Sequence, residues 1–341
     1  MSYTNKSVSE CDHPSILNFL GNTPVVQLDM NEDGMEHVQV FAKLEYYNPT
    51  GSVKDRAAQH LLQKLRATGE INPSTIIIES SSGNFGISLA TFCKFHNQPF
   101  YCVIDPLISP INEMLIRKLS TKVYKVTERD ENGGYLLNRI RLIQQLMSEN
   151  NDMYWINQYK NPYNAEAYYH SLGNEILEQF DELDYLFVGV SSGGTVSGLS
   201  CKIKEERPNC KIIAVDVDGS IVFGGAAKKR FIPGIGSSMV PEIIKSAKID
   251  EVVCVDEFTS VQHCHELLKT QHLFAGGSSG SVLAAIKKYF KENKISGSPK
   301  VLGIFCDRGD RYATTIYHEG WVAETFSALY AEQADLCLTN P

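Results

Sequence analysis

The 341-residue chain has no apolar run approaching the roughly 20 residues that a membrane-spanning helix needs. Its first stretch, Met1 to His13, lacks a basic segment followed by an apolar one, so no secretory leader is expected. No C-x-x-C occurs among the nine cysteines, an odd number scattered singly. Cys93, Cys102 and Cys254 stand in apolar surroundings where a free thiol packs as a small hydrophobe, which reads as a reduced, cytoplasmic chain. A surplus of positive charge is also missing. The formal net charge of −8 argues against nucleic acid or an anionic membrane as the main partner. His263-Cys264-His265 looks like a fragment of a metal site, but imidazoles at i, i+2 on a helix diverge, and no metal is expected. Internal repeats and low-complexity linkers are absent, and the tail after about residue 329 reads as loosely held.

What is present is an ordinary globular composition, 43% apolar and 21% charged, on a chain long enough for two lobes. Short apolar runs alternate with longer amphipathic segments. Strands are expected over 38–44, 76–79, 100–104, 122–126, 185–190, 211–215, 251–255 and 301–305. Helices are expected between them, among others over 56–68, 85–95, 136–148, 165–180 and 279–290. Strands of this length separated by helices indicate an α/β fold with mostly parallel sheets. Three strand-to-helix junctions are rich in glycine and serine: Ser80-Ser81-Ser82-Gly83-Asn84, Ser191-Ser192-Gly193-Gly194-Thr195 and Gly276-Gly277-Ser278-Ser279-Gly280. Ligands of open α/β sheets bind beyond the carboxyl ends of the strands, which makes these loops candidate site walls.

Three segments carry chemistry. In Asn48-Pro49-Thr50-Gly51-Ser52-Val53-Lys54-Asp55-Arg56, Gly51 and Ser52 end a turn, Ser52 can cap the helix that follows, and Lys54 falls in its first turn. A desolvated lysine at the positive end of a helix loses basicity and becomes a nucleophile for carbonyls. A solvated lysine at a helix start is the plainer alternative. Residues 191–195 follow an apolar strand, and small residues there let backbone amides approach a phosphate, with the Ser192 and Thr195 hydroxyls as further donors. No Walker lysine and no dinucleotide fingerprint accompany this loop, and a simple tight turn would have the same composition. Ser278 opens a third helix after Gly276-Gly277 and could equally be an ordinary cap.

In this order on one chain, the three segments resemble the cysteine synthase/cystathionine β-synthase group of fold-type II pyridoxal-phosphate (PLP) enzymes. The match runs from about residue 14 to 325. It rests on Gly21-Asn22-Thr23-Pro24, the Asn48-to-Arg56 segment, Ser81-Ser82-Gly83-Asn84, Ser191 through Thr195, Gly234-Ile235-Gly236 and Gly277-Ser278-Ser279-Gly280. The resemblance implies PLP as cofactor, Lys54 as its Schiff-base lysine and catalytic base, and Ser191, Ser192, Gly193, Gly194 and Thr195 as its phosphate cup. It further implies Asn84 on the 3′-oxygen and Ser278 on the pyridine nitrogen. Ser82 and Gln158 would hold the substrate carboxylate, with Ser81, Gly83, Phe85, Gly236 and Met239 at the substrate. A neutral hydroxyl at the pyridine nitrogen makes the ring a weaker electron sink than a carboxylate partner would, which suits loss of a β-leaving group and addition of a second substrate at Cβ. The resemblance also implies a tryptophan synthase β-like fold: a larger domain from 1–47 and 161–341, a smaller mobile domain over 48–160, and a homodimer.

The chain departs from sulfide-using members where Phe85 replaces the usual threonine and where Asp307-Arg308-Gly309-Asp310-Arg311-Tyr312 replaces a serine-rich segment. With Glu45 to Pro49, Gly133-Gly134-Tyr135 and Tyr154 to Tyr159, these features are similar to the N-(2-amino-2-carboxyethyl)-L-glutamate synthases of siderophore pathways. Those enzymes join O-phospho-L-serine to L-glutamate, making a 2,3-diaminopropionate precursor. Met239 stands where those relatives have arginine, and Arg308 or Arg311 would have to replace that cation. A cysteine synthase, a nicotinamide dehydrogenase and a catalytically silent PLP-binding scaffold are the competing readings.

Overall fold

The computed structural model describes residues 15–31, 34–131, 133–293 and 295–327. The expectations for the first 13 residues and for the tail after about 329 lie outside them. The strands are β1 (Val25–Gln27), β2 (Gln39–Leu44), β3 (Ile76–Ser80), β4 (Phe100–Ile104), β5 (Lys122–Lys125), β6 (Met153–Trp155), β7 (Tyr185–Gly189), β8 (Lys211–Val217), β9 (Glu251–Val255) and β10 (Lys300–Phe305). They form two sheets, a six-stranded one in the order β1-β2-β10-β7-β8-β9 and a four-stranded one in the order β5-β4-β3-β6. Every pairing is parallel except that of β1 with β2.

The helices are α1 (Lys54–Ala67), α2 (Asn84–Phe95), α3 (Pro110–Leu119), α4 (Leu136–Glu149), α5 (Tyr163–His170), α6 (Leu172–Gln179), α7 (Gly194–Glu206), α8 (Glu257–Thr270), α9 (Gly277–Glu292) and α10 (Glu319–Thr325). No helix among the described residues is long and apolar enough to cross a membrane. The central strands are covered on both faces, which is why β3 reads Ile-Ile-Ile and β7 reads Leu-Phe-Val instead of alternating. On α1, Ala57, Ala58, Leu61, Leu62 and Leu65 recur at helical spacing and are buried in the core shared with α2 and α5.

The single helix expected over 165–180 is two. Ser171 interrupts it at φ −109°, ψ −81°, and its hydroxyl donates to the Ala167 carbonyl at 2.6 Å, a side-chain bond that competes with the helical ladder. The break turns α6 so that Glu175 reaches Arg56. The short strands β1 and β6 have too few residues to show a period.

Both halves of the chain serve one sheet, because β10 lies between β2 and β7. Beyond the carboxyl ends of β3, β7 and β10 the first residues of α1, α2, α7 and α9 border a single cleft. It has a volume of about 500 Å³.

Candidate active site

The cleft brings together Lys54, Asn84, Ser191, Ser192, Gly193, Thr195 and Ser278, residues drawn from distant parts of the sequence. Ser81, Ser82, Gly83, Phe85 and Gln158 line it too. Gly194 and Gly236 lie behind the wall. A Cβ on Gly194 would meet Asn164 Oδ1 at 2.4 Å, and the Gly236 amide is bonded to the Val190 carbonyl at 2.7 Å. Met239 lines a neighbouring cavity of about 690 Å³ that shares Tyr159 with the main cleft. It does not line the main cleft, in whose wall Pro233 and Gly234 stand. The three residues of the 263–265 fragment go separate ways, His263 to the Thr259 carbonyl, His265 to that of Ile316, and Cys264 into the core.

Lys54 is the first residue of α1, and its backbone amide rests on Ser52 Oγ at 3.3 Å, although Val53 occupies the cap position itself. The buried Tyr168 ring centres 5.8 Å from Nζ. Burial, the largest influence, works against the Lys54 ammonium, but the Asp307 carboxylate among its neighbours acts the other way, and the net direction is above the ordinary value. Burial and the helix start favour the neutral amine, and in the cofactor-free protein the neighbouring carboxylate opposes them. The helix end is only a partial charge, whereas Asp307 is a carboxylate in the same cleft. The adjacent Cys306 thiol is pushed up by burial to about 12 and stays protonated.

Asp307 follows β10 and is buried. Its Oδ2 accepts from Asn84 Nδ2 at 2.7 Å and from the Tyr312 hydroxyl at 2.6 Å, while Oδ1 has no partner among the described residues. Arg311 donates to Asn84 Oδ1 and to the Thr50 carbonyl. Asn84 is fixed from both ends, and the second hydrogen of its amide remains for a ligand.

The loop after β3 is held as firmly. Ser82 Oγ donates to Asp105 Oδ2 at 2.9 Å and accepts from Arg139 at 3.2 Å, and Arg139 pairs with Asp105 at 3.2 Å. Ser81 Oγ accepts from the Gly86 amide at 2.9 Å. Beneath them the fully buried Glu79 accepts from the amides of Ser80 at 2.7 Å and Gln158 at 3.1 Å, tying the two carboxylate-binding candidates together. Asp105, Arg139, Arg230, Tyr168 and Glu79 escaped the sequence reading. Position at a strand's carboxyl end could have flagged Asp105, but nothing local marks the arginines.

At the start of α7, Gly193 adopts φ +86°, a left-handed conformation that costs glycine little. This turn presents first-turn amides that have no partner within the helix, and the Ser192 and Thr195 hydroxyls stand beside them in the cleft. The arrangement fits a phosphate ester, and Asn84 and Ser278 line the same cleft.

A family model described as pyridoxal-phosphate dependent enzyme matches residues 16–307. The chain belongs to that family. PLP is therefore its cofactor, and it is a PLP-dependent synthase of fold type II. It is 43% identical over 311 residues to N-(2-amino-2-carboxyethyl)-L-glutamate synthase of Cupriavidus metallidurans, covering 91% of each protein. Among solved structures it is similar to the O-acetylserine dependent cystathionine β-synthase of Helicobacter pylori, with a TM-score of 0.82, 30% identity and 89% and 98% of the two chains covered. O-ureido-L-serine synthase follows at a TM-score of 0.81, 27% identity and 92% and 95% coverage. The reaction class these relatives support is β-replacement.

Proposed function

We propose that this synthase replaces the β-substituent of an O-activated L-serine, O-phospho-L-serine being favoured, with the amine of L-glutamate. The product is N-(2-amino-2-carboxyethyl)-L-glutamate, a 2,3-diaminopropionate precursor of siderophore biosynthesis. One observation carries this reading: among the lining residues Lys54, Arg139, Arg230 and Arg311 face only two carboxylates, Asp105 and Asp307. A cationic cleft in a chain of net charge −8 attracts anionic substrates. Sulfide needs almost no recognition, whereas a phosphate or a second pair of carboxylates needs several charge-assisted donors. The apolar Phe85 in place of a hydroxyl and the name of the Cupriavidus relative support the same reading.

Bound PLP supplies the electron sink that labilises the Cα proton. Lys54 would hold the cofactor aldehyde and would take up that proton at Nζ. Ser191 through Thr195 would receive the cofactor phosphate, with Asn84 for the 3′-oxygen and Ser278 for the pyridine nitrogen. Ser81, Ser82, Gly83 and Gln158 orient the substrate carboxylate, with Glu79 as the tie beneath. The four-stranded sheet lies wholly within 48–160, which supports a smaller domain closing over the larger one to exclude water. We also place the enzyme in the cytoplasm as a homodimer.

The test is kcat/KM for glutamate, aspartate and sulfide, with O-phosphoserine and O-acetylserine each as first substrate, and products identified by mass. Glutamate with O-phosphoserine is the expected pair. A preference for sulfide with both donors would make the protein a cysteine synthase.

A further inference from the structure

Arg230 is half-buried and lines the cleft beside Phe231, Pro233 and Gly234. The fold is shaped around its side chain. A Cβ on Gly236, at φ +70°, would lie 2.6 Å from Arg230 Nη1, and one on Gly219, at φ +86°, would lie 3.2 Å from its Cγ. Arg230 Nη1 donates to the Ile235 carbonyl at 3.0 Å and Nη2 to Ser238 Oγ at 2.9 Å. The guanidinium is therefore fixed by neutral acceptors, and most of its five donors remain uncommitted.

The other cleft arginines differ. Arg139 is paired with Asp105, and Arg311 is spent on Asn84 and Thr50 in the field of Asp307 and Asp55. Arg230 has no carboxylate within ion-pair distance among the described residues. Its nearest acidic neighbours, Glu257 and Asp216, are occupied by the amides of Phe231, Ile232 and Val217. A fixed, part-buried guanidinium facing a cavity without a carboxylate partner is an anion receptor in want of its anion.

We infer that Arg230 binds the side-chain carboxylate of the incoming amino acid and thereby selects an acidic nucleophile. This deepens the proposed function and rests on it.

The phosphate of O-phosphoserine offers the same chemistry, so the experiment separates the two sources. Arg230→Gln and Arg230→Lys holoenzymes are compared with wild type for kcat/KM toward L-glutamate and toward its neutral isostere L-glutamine, and toward O-phosphoserine. Donor activation is common to both acceptors, so their ratio reports the acceptor alone. The ratio of glutamate to glutamine should fall about tenfold or more in Arg230→Gln, with Arg230→Lys between the two, because lysine keeps the charge but not the fork. The visible cofactor band certifies that each variant is folded. A ratio unchanged from wild type overturns the inference, as does a loss confined to O-phosphoserine, which would make the leaving phosphate the bound anion. Wild-type enzyme that ignores glutamate would refute the proposed function and this inference together, whereas the variant outcomes bear on Arg230 alone.

Discussion

Asn84 and Asp307 are separated by 223 residues and joined across the cleft by a 2.7 Å hydrogen bond. It ties the start of α2, which belongs to the four-stranded half, to the end of the central strand β10. Asp307 also receives the Tyr312 hydroxyl, so one buried carboxylate holds two donors in place for the cofactor side of the cleft.

Asp307→Ala should therefore cost more stability than any loss of a single donor. It strands the buried Tyr312 hydroxyl, a group worth roughly 1–3 kcal/mol when unsatisfied, and also frees the half-buried Asn84 amide. Tyr312→Phe removes one bond of about 1 kcal/mol and leaves Asn84 in place. Urea unfolding should rank Asp307→Ala well below Tyr312→Phe, and Asp307→Ala should also release PLP more readily on dialysis. Equal stability of the two variants would mean that the bond is not what holds Asn84.

Glu79 should give the protein a neutral-pH weakness. Burial pushes its carboxyl up from 4.5 to about 7, against the opposing bonds from Ser80, Gln158 and Trp155 and the nearby Arg139. The folded state then keeps a proton that the unfolded chain releases. Stability contributed by this group is complete below about 4.5 and is lost as pH rises to about 7, a change of roughly 3 kcal/mol. Glu79→Gln removes the titration while the other buried carboxyls stay. The stability difference between wild type and variant should shift in favour of the variant between pH 5 and pH 8 by that order. A difference independent of pH would show that Glu79 ionises normally.

Lys54 should make cofactor uptake pH-dependent. Its ammonium, shifted above the ordinary pKa against its burial with Asp307 close by, must lose a proton before it can join an aldehyde. Capture of PLP by the stripped protein, followed by the visible band, should quicken about tenfold per pH unit between pH 7 and 9. Lys54→Ala should abolish turnover, a loss on the order of 10³ or more. A pH-independent capture rate would place the reactive lysine elsewhere or leave it already neutral.

The parts of this site that were legible in the sequence are those made of contiguous residues at a strand-to-helix junction. Lys54, the 191–195 turn and Ser278 are visible there because a glycine-serine turn before an amphipathic run gathers hydroxyls and free amides within a few positions. The helix end is not the whole environment of Lys54, since the Asp307 carboxylate arrives from the far end of the chain. Arg139 and Arg230 are ordinary arginines by pattern, and only tertiary approach gives them Ser82 or Ser238 as partners. Gly21-Asn22-Thr23-Pro24 and Asn48, read as markers of the family, do not line the cleft. They brace α1: the Gly21 amide donates to Asn48 Oδ1 at 2.9 Å, and Asn48 and Thr23 both donate to Glu45. Met239 lines the neighbouring cavity, and nothing local in the sequence marks which of the two cavities it faces.

That brace supplies the last prediction. Glu175 on α6 accepts from Arg56 at 2.6 Å and 2.8 Å and from Lys43 at 2.9 Å, and its neighbour Glu45 takes the rest of the Arg56 fork. Lys43 and Arg56 are almost wholly buried, so neither can turn to water if Glu175 is removed. Burial alone would raise the Glu175 carboxyl, but the bonds and charges of Arg56 and Lys43 outweigh it and hold the group at about 2. Its stabilisation is therefore complete above about 4.5 and is lost as pH falls through about 2, opposite in sign to Glu79. Glu175→Ala leaves one of two buried cations without its anion, a loss of roughly 3–5 kcal/mol at neutral pH. Because the brace sets the angle of α1, the variant should also bind PLP more weakly at Lys54, although no atom of Glu175 lines the cleft. Unfolding in urea at pH 7 and at pH 2 measures the first effect, and cofactor affinity the second. A stability loss as large at pH 2 as at pH 7 would show that the carboxylate acts by packing and not by charge.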